Sequence, residues 1–230
     1  MENSLRVLST LALRGAVRSL AGECEAASGF RIDADFAPTL ALIDRLQKGE
    51  TADVVILTRE GLAGLAVAGE VDPGSCVDLA RSHVGLAVRA GTPHPDIATE
   101  DALRTTLLSA RSIAYSGLGA SGIFFARLIE QMGIAPEING RATIVPQGFT
   151  AERLMSGEAD LAVQQISELK QVAGVEIVGA IPLHLQEAAL FSAGRLSSST
   201  KVGQASYFLQ FLASARAAPA LRESGLEPIG

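Results

Sequence analysis

Short apolar runs alternate with stretches of helical periodicity along most of the chain. Residues 5–9 read as a strand, and 15–28 as a helix with Val17, Leu20 and Ala21 on one face, stopped by Gly29. Residues 30–36 read as a second strand, 40–48 as a helix ended by Gly49, 54–57 as a buried strand and 62–68 as a further helix. This βαβαβ rhythm predicts parallel strands joined by helical crossovers. After Pro73-Gly74 a second set begins. It has strands at 84–88, 113–115, 143–145 and 161–163, and helices at 99–109, 123–132 and 151–155. Thr99 is placed to cap the first of these helices, and Thr92-Pro93-His94-Pro95 forms a stiff loop. Strands at 175–178 and 188–192 and a closing helix at 207–213 complete the pattern.

Two α/β sets of similar size predict two lobes, the first formed by residues 1–83 plus 186–230 and the second by 84–185. A ligand is then expected in a cleft between them, at the carboxyl ends of strands and near helix N-termini. No apolar run reaches the roughly 18–20 residues of a membrane span, and residues 1–6 carry no basic or apolar leader. As written, the chain is therefore expected in the cytoplasm, or in the periplasm if a signal peptide has been removed.

Composition narrows the partners. Of 230 residues, 48% are hydrophobic and 19% charged, a balance that excludes a disordered chain. The formal net charge of −6, with no basic stripe, makes duplex nucleic acid and anionic membranes poor expected partners, and without a long apolar run no membrane insertion is expected. Cys24 and Cys76 show no pairing pattern, and His83, His94 and His184 show no metal-ligand spacing. Neither a metal nor a cofactor is expected.

The strand-to-helix turns carry the candidate chemistry. They are Ser9-Thr10-Leu11-Ala12-Leu13-Arg14, Ala37-Pro38-Thr39-Leu40, the turn at 116–122, and Pro146-Gln147-Gly148-Phe149-Thr150. Each leaves amides unpaired at the positive end of a helix dipole, where an anion is stabilised. Capping alone is the alternative role for Thr39 and Ser121. Arg14, just inside a helix start, opposes the dipole. It is either a solvated side chain or a clamp on a ligand carboxylate. Gln164 and Gln165 follow a strand, and alternation allows only one of them to point toward a ligand. Residues 117–122 spell G-x-G-x-x-G, yet no carboxylate follows the next strand at Val145-Pro146-Gln147, so a dinucleotide is not expected.

Four stretches carry a resemblance that runs over nearly the whole chain. They are Gly49-Glu50-Thr51-Ala52-Asp53-Val54-Val55-Ile56, Ala120-Ser121-Gly122-Ile123-Phe124, Glu158-Ala159-Asp160-Leu161-Ala162-Val163 and a C-terminal helix ending in Ser224-Gly225-Leu226. With them the chain resembles the molybdate-binding family of type-II periplasmic solute-binding proteins. The resemblance implies a two-lobed α/β fold, each lobe a mixed, mostly parallel sheet flanked by helices. By position it implies a ligand held at Ser9, Thr10, Leu11, Arg14, Thr39, Ser121, Gln147 and Gln165. Ala12 stands where molybdate binders carry a ligand serine, Pro38-Thr39-Leu40 replaces a serine-rich run, and Gln165 replaces a tyrosine. Arg14 has no charged counterpart among them, which favours a small organic carboxylate over an oxyanion.

Val77-Asp78-Leu79-Ala80-Arg81-Ser82, Val88-Arg89-Ala90-Gly91-Thr92-Pro93, Pro95-Asp96-Ile97 and Ser112-Ile113-Ala114-Tyr115-Ser116 are similar to a branch of this superfamily that includes aconitate isomerase. The leading expectation is a small-anion binding protein, for which a transporter permease is a partner only if the chain is exported. The alternative is an isomerase moving an allylic proton on a di- or tricarboxylate. Such chemistry needs a general base, for which the sequence offers only Tyr115 and His184 as remote candidates.

Overall fold

In the computed structural model, which describes residues 3–229, each strand-like run becomes a strand, and its neighbours decide how far it extends. The order opens β1 (Ser4–Thr10), α1 (Arg14–Ser28), β2 (Arg31–Ala37), α2 (Thr39–Gln47), β3 (Val54–Thr58) and α3 (Arg59–Val67). It continues β4 (Val77–Ser82), β5 (Val84–Arg89), α4 (Glu100–Ser109), β6 (Ile113–Ser116), α5 (Ala120–Gln131) and α6 (Ala135–Asn139). Then come β7 (Thr143–Val145), α7 (Glu152–Met155), β8 (Leu161–Gln165), α8 (Ile166–Leu169) and β9 (Val175–Ala180). The last are β10 (Ala189–Arg195), α9 (Val202–Leu212), α10 (Ala218–Glu223) and β11 (Glu227–Pro228). Met1, Glu2 and Gly230, which the expected first lobe includes, lie outside the described residues.

The chain divides into two units, Met1–Ser82 with Ala189–Gly230, and His83–Ala188. The sheet of the first unit has the order β11-β4-β10-β3-β1-β2, and that of the second β7-β6-β8-β5-β9. Both are mixed. β2, β1 and β3 run parallel, as do β7, β6 and β8, while pairings that involve β4, β5, β9, β10 and β11 are antiparallel. The parallel rhythm read from the sequence is thus confined to three strands of each sheet. β4 escaped the periodicity because Asp78 and Arg81 interrupt its apolar positions, and Asp78 is held by a 2.6 Å hydrogen bond from the Ser192 hydroxyl.

Alternation along the strands fills two core layers in the first unit. Leu5, Val7, Val54 and Ile56 face a cluster with Phe191, Phe208 and Leu212, whereas Leu8, Val55 and Leu57 face Leu42, Leu62 and Leu65. The second unit is asymmetric. Leu86, Ile113, Tyr115 and Val163 pack on Leu103, Leu107 and Phe125, but the opposite face is built on Ala87, Ala114 and Ala162. These small residues let the short helices α7 and α8 approach closely. A Cβ placed at Gly85 would lie 2.7 Å from Ile166 Cγ1.

The two Ala-Asp pairs turn out to fasten the fold. Asp53 donates its N–H to Arg6 O at 2.9 Å, and its carboxylate accepts from Arg6 N–H at 2.8 Å. The same carboxylate accepts from the Ser199 hydroxyl at 2.7 Å and from Lys201 Nζ at 3.1 Å. In the second unit Asp160 repeats the device, donating to Ser112 O at 3.0 Å and accepting from Arg111 N–H at 2.9 Å. Both aspartates precede their strands, so they clasp the amino ends of neighbouring parallel strands.

Burial by itself raises the Asp53 pKa, but the hydrogen bonds from Arg6, Ser199 and Lys201 outweigh it and hold the carboxyl below its usual 3.8. A depressed folded-state pKa contributes stability that is complete above the unfolded value and is lost as pH falls through the folded one. Asp53→Asn is expected to lower stability by about 3 kcal/mol at pH 7. It should also flatten the loss of stability below about pH 4, as read from urea midpoints between pH 3 and 7. A variant as stable as the parent at pH 7 would remove the clasp.

Candidate anion site

Parallel pairing lines up the carboxyl ends of strands, and with them the turns singled out in the sequence. In the first unit Thr10 pairs with Ala37 and Ser9 with Ile56, so the starts of α1, α2 and α3 leave one edge of the sheet side by side. In the second unit Ser116 pairs with Val145 and Tyr115 with Val163, which does the same for the turns after β6, β7 and β8. Ser9, Thr10, Leu11, Arg14 and Thr39 therefore share one edge, and Ser121, Gln147 and Gln165 share another.

Ser9, Thr10 and Leu11 are buried, and the Ser9 hydroxyl donates to Thr10 O at 3.1 Å. A single 3-10 turn, Leu11–Leu13, tightens the chain so that the first residue of α1 is Arg14, which is half-buried. No acidic side chain occupies the first turn of α1 to complement the dipole.

Thr39 is the most telling residue. It is the first residue of α2, only 6% exposed, and Pro38 at the cap position offers no side-chain hydrogen bond. Its Oγ1 is buried without a hydrogen-bond partner among the described residues, while its methyl faces Gly61. Capping therefore does not account for it. An unsatisfied buried hydroxyl costs about 1–3 kcal/mol, so Thr39 Oγ1 is a strained group with a hydrogen bond still to make.

Ser121 lies one residue inside α5 and is likewise no cap, since that helix also starts without a side-chain cap bond. The Ser116 hydroxyl accepts from Gly119 N–H at 2.9 Å instead. The glycines of this turn serve close approach: a Cβ on Gly122 would lie 1.7 Å from Ser116 O, and one on Gly119 2.9 Å from the Ser116 hydroxyl oxygen. Gln147 is exposed, whereas Gln165 is buried at the end of β8. The adjacent Gln164 belongs to the scaffold. Its Oε1 accepts from Thr150 N–H at 2.8 Å and its Nε2 donates to Gly148 O at 3.2 Å, tying the β7 turn to β8.

Several polar groups near these edges were not legible in the sequence. Thr58 caps α3 by accepting from Gly61 N–H, and Arg59 repeats at α3 the placement of Arg14 at α1, with Asp78 at 3.6 Å. The signal was an arginine directly after a strand, obscured because residues 58–61 read as a connection. Glu168, on α8 just after Gln165, is 6% exposed. Burial pushes its carboxyl up to about 8, against hydrogen bonds from the Gln165 backbone and the Gln164 side chain that pull it down.

The two remote acid–base candidates have other employment or surroundings. Tyr115 donates to Asn139 Oδ1 at 2.7 Å and packs edge-on against Phe125, which makes it a core residue. His184 is exposed in a short 3-10 turn beside Phe124 and Arg127. A cavity of about 630 Å³ lies along α3, with Leu62, Ala63, Ala66 and Val67 as apolar walls and Arg59, Asp78 and Ser192 as its polar lining. Among the described residues no cluster of His, Cys, Asp or Glu is arranged for a metal ion, and no helix is long and apolar enough to cross a membrane.

The sheet orders, the strand-end turns and the orphaned hydroxyl together describe a solute-binding protein of the type-II periplasmic fold. The chain belongs to the bacterial extracellular solute-binding protein family, whose sequence profile it matches over residues 5–227. It is 38% identical to an aconitate isomerase from Pseudomonas sp., over 98% of this chain and 88% of that protein. Among solved structures it is similar to the periplasmic molybdate-binding protein of Azotobacter vinelandii, with a TM-score of 0.81 and 18% identity. That match covers 96% of this chain and 98% of the other. The sulfate-binding protein of Mycobacterium tuberculosis H37Rv gives a TM-score of 0.79 at 18% identity, covering 99% and 87% respectively.

Thr39→Val keeps the shape and removes the orphaned hydroxyl. Its unfolding free energy in the absence of ligand should be unchanged or higher by about 1 kcal/mol. Its affinity for whichever of trans-aconitate, sulfate and molybdate binds should fall about tenfold, a loss of roughly 1.4 kcal/mol. Titration calorimetry beside urea unfolding separates the two effects, and an unchanged affinity would remove Thr39 from the site.

Proposed function

We propose that this chain is an isomerase that binds a small unsaturated tricarboxylate of the aconitate class and moves an allylic proton. The observation that carries the reading is the 38% identity to an aconitate isomerase over nearly the full chain. It supports ranking the isomerase ahead of the pure binding function that the turns alone favour.

The reaction needs no external reagent. A base removes a proton from the CH₂ beside the double bond, and the released electron pair forms a new C=C bond. The former double-bond carbon then takes up a proton, so the alkene changes position or geometry at constant composition. Negative charge builds on a substrate carboxyl in between, and preorganised amide and hydroxyl donors stabilise it. In this reading the N–H groups after β1 and β6, the Thr39 and Ser121 hydroxyls, and the amides of Gln147 and Gln165 are the neutral donors. Arg14 is the cationic one, its planar fork matching a carboxylate.

A second reading, a carboxylate-binding protein without turnover, is supported by the family itself, which is one of bacterial extracellular solute-binding proteins. Incubation with trans-aconitate in D₂O distinguishes the two. The isomerase is expected to incorporate deuterium at the allylic carbon and to produce a second olefinic proton signal. Unchanged spectra at high protein concentration, with the ligand bound, would leave only the binding role. Arg14→Ala is expected to weaken carboxylate binding by about 2–5 kcal/mol, measured by calorimetry. Equal affinity would remove Arg14 from the site.

A further inference from the structure

The turns of the second unit are tied together by a buried carboxyl that the donor set above does not use. Glu168 accepts from the backbone N–H of Gln165 and from the side chain of Gln164. Because Gln165 is the cap residue of α8, this is half of a reciprocal capping arrangement, with the carboxyl at the third helical position reaching back to the cap N–H. Gln164 carries the connection onward, since its amide binds Gly148 O and receives both the N–H and the hydroxyl of Thr150. One carboxyl thus stands behind both turns that carry Gln147 and Gln165.

A surface glutamate would do for capping. Here the carboxyl is enclosed by α8, β5, β8 and β9, where Gly85 admits Ile166 at close range and Ile166 N–H binds His83 O at 2.9 Å. The other ionisable groups on or beside these elements are Arg89 of β5, Glu176 of β9, and His83, Lys170 and Asp160 at their ends, Asp160 being held by Arg111 at the start of β8. Arg89 and Glu176 lie at the far end of the β5–β9 ladder, away from the Gly85–Ala180 pair, and Glu176 is engaged by His94. No charge contributes to the Glu168 shift, which burial dominates.

We propose that Glu168 is a positioning residue for the anion site: its hydrogen bonds set the Gln164–Gln165 strand end and the Gln147–Thr150 turn, and an anion is bound best there when the carboxyl carries its proton and adds no negative charge behind the donors. The proposal rests on the reading of Gln147 and Gln165 as ligand donors. When Glu168 is neutral, its hydrogen bonds hold the turns and an anion meets no repulsion. When it ionises, a negative charge in a poorly hydrated position stands behind the donors of another negative charge. Binding then requires proton uptake. Affinity is level below the carboxyl's pKa of about 8 and declines above it, at most tenfold per pH unit for one linked proton.

Calorimetry of the full chain with trans-aconitate, sulfate and molybdate at pH 7 and pH 9 tests this. The wild type is expected to bind at least one probe several-fold more weakly at pH 9, with proton uptake revealed by buffers of different ionisation enthalpy. Glu168→Gln, which is neutral at both values, should bind as the wild type does at pH 7 and keep that affinity at pH 9. Glu168→Ala, which loses both hydrogen bonds, should bind about tenfold more weakly at both. The proposal is overturned if Glu168→Gln declines with pH as steeply as the wild type, or if Glu168→Ala binds normally. Binding that follows this pattern without deuterium incorporation from trans-aconitate would sink the isomerase reading and leave Glu168 standing. No binding of any probe at either pH would sink both.

Discussion

Parallel strands that each give way to a helix collect unpaired N–H groups along one edge of a sheet, and everything proposed for this chain depends on that constraint. The hydrogen-bond register aligns the last residues of three adjacent strands. The helices that follow cannot satisfy their first amides internally, so the edge acquires positive potential without a metal and with few basic side chains. The sequence then removes what would quench it: α1, α2 and α5 all lack a side-chain cap bond, and none of the three has an acid in its first turn.

The opposite edge is built for rigidity. Asp53 and Asp160 each close a two-way hydrogen-bonded clasp onto the neighbouring strand, and Asp53 gathers the C-terminal segment through Ser199 and Lys201. The amino ends of neighbouring parallel strands are thereby fixed by side-chain hydrogen bonds. The second unit adds an asymmetric core. Alanines beneath α7 and α8 bring these short helices down onto the sheet, and the descent encloses Glu168.

Most elements were legible because their apolar spacing is regular and their ends are marked. Gly29 and Gly157 adopt the positive φ that their stop positions require, and Thr99 caps α4 as its position suggested. Alternation also carried the strand ends, and through them the turns. What stayed hidden depends on contacts distant in sequence. Nothing local distinguishes Asp53 as a clasp until Arg6 and Lys201 arrive from both ends of the chain. Thr39 reads as an N-cap because Thr commonly is one, and only the packed geometry shows a hydroxyl with nothing to hold. Glu168 sits in a four-residue helix too short to show a period, and its burial is set by the small residues of other strands.

The 1.7 Å approach of a hypothetical Cβ at Gly122 to a carbonyl oxygen fixes more than one side chain. It ties the start of α5 to the end of β6, because no side chain fits between them. A side chain at Gly122 would have to push that backbone apart, whereas Leu118 and Ala120, neither of them buried, can be exchanged without moving it.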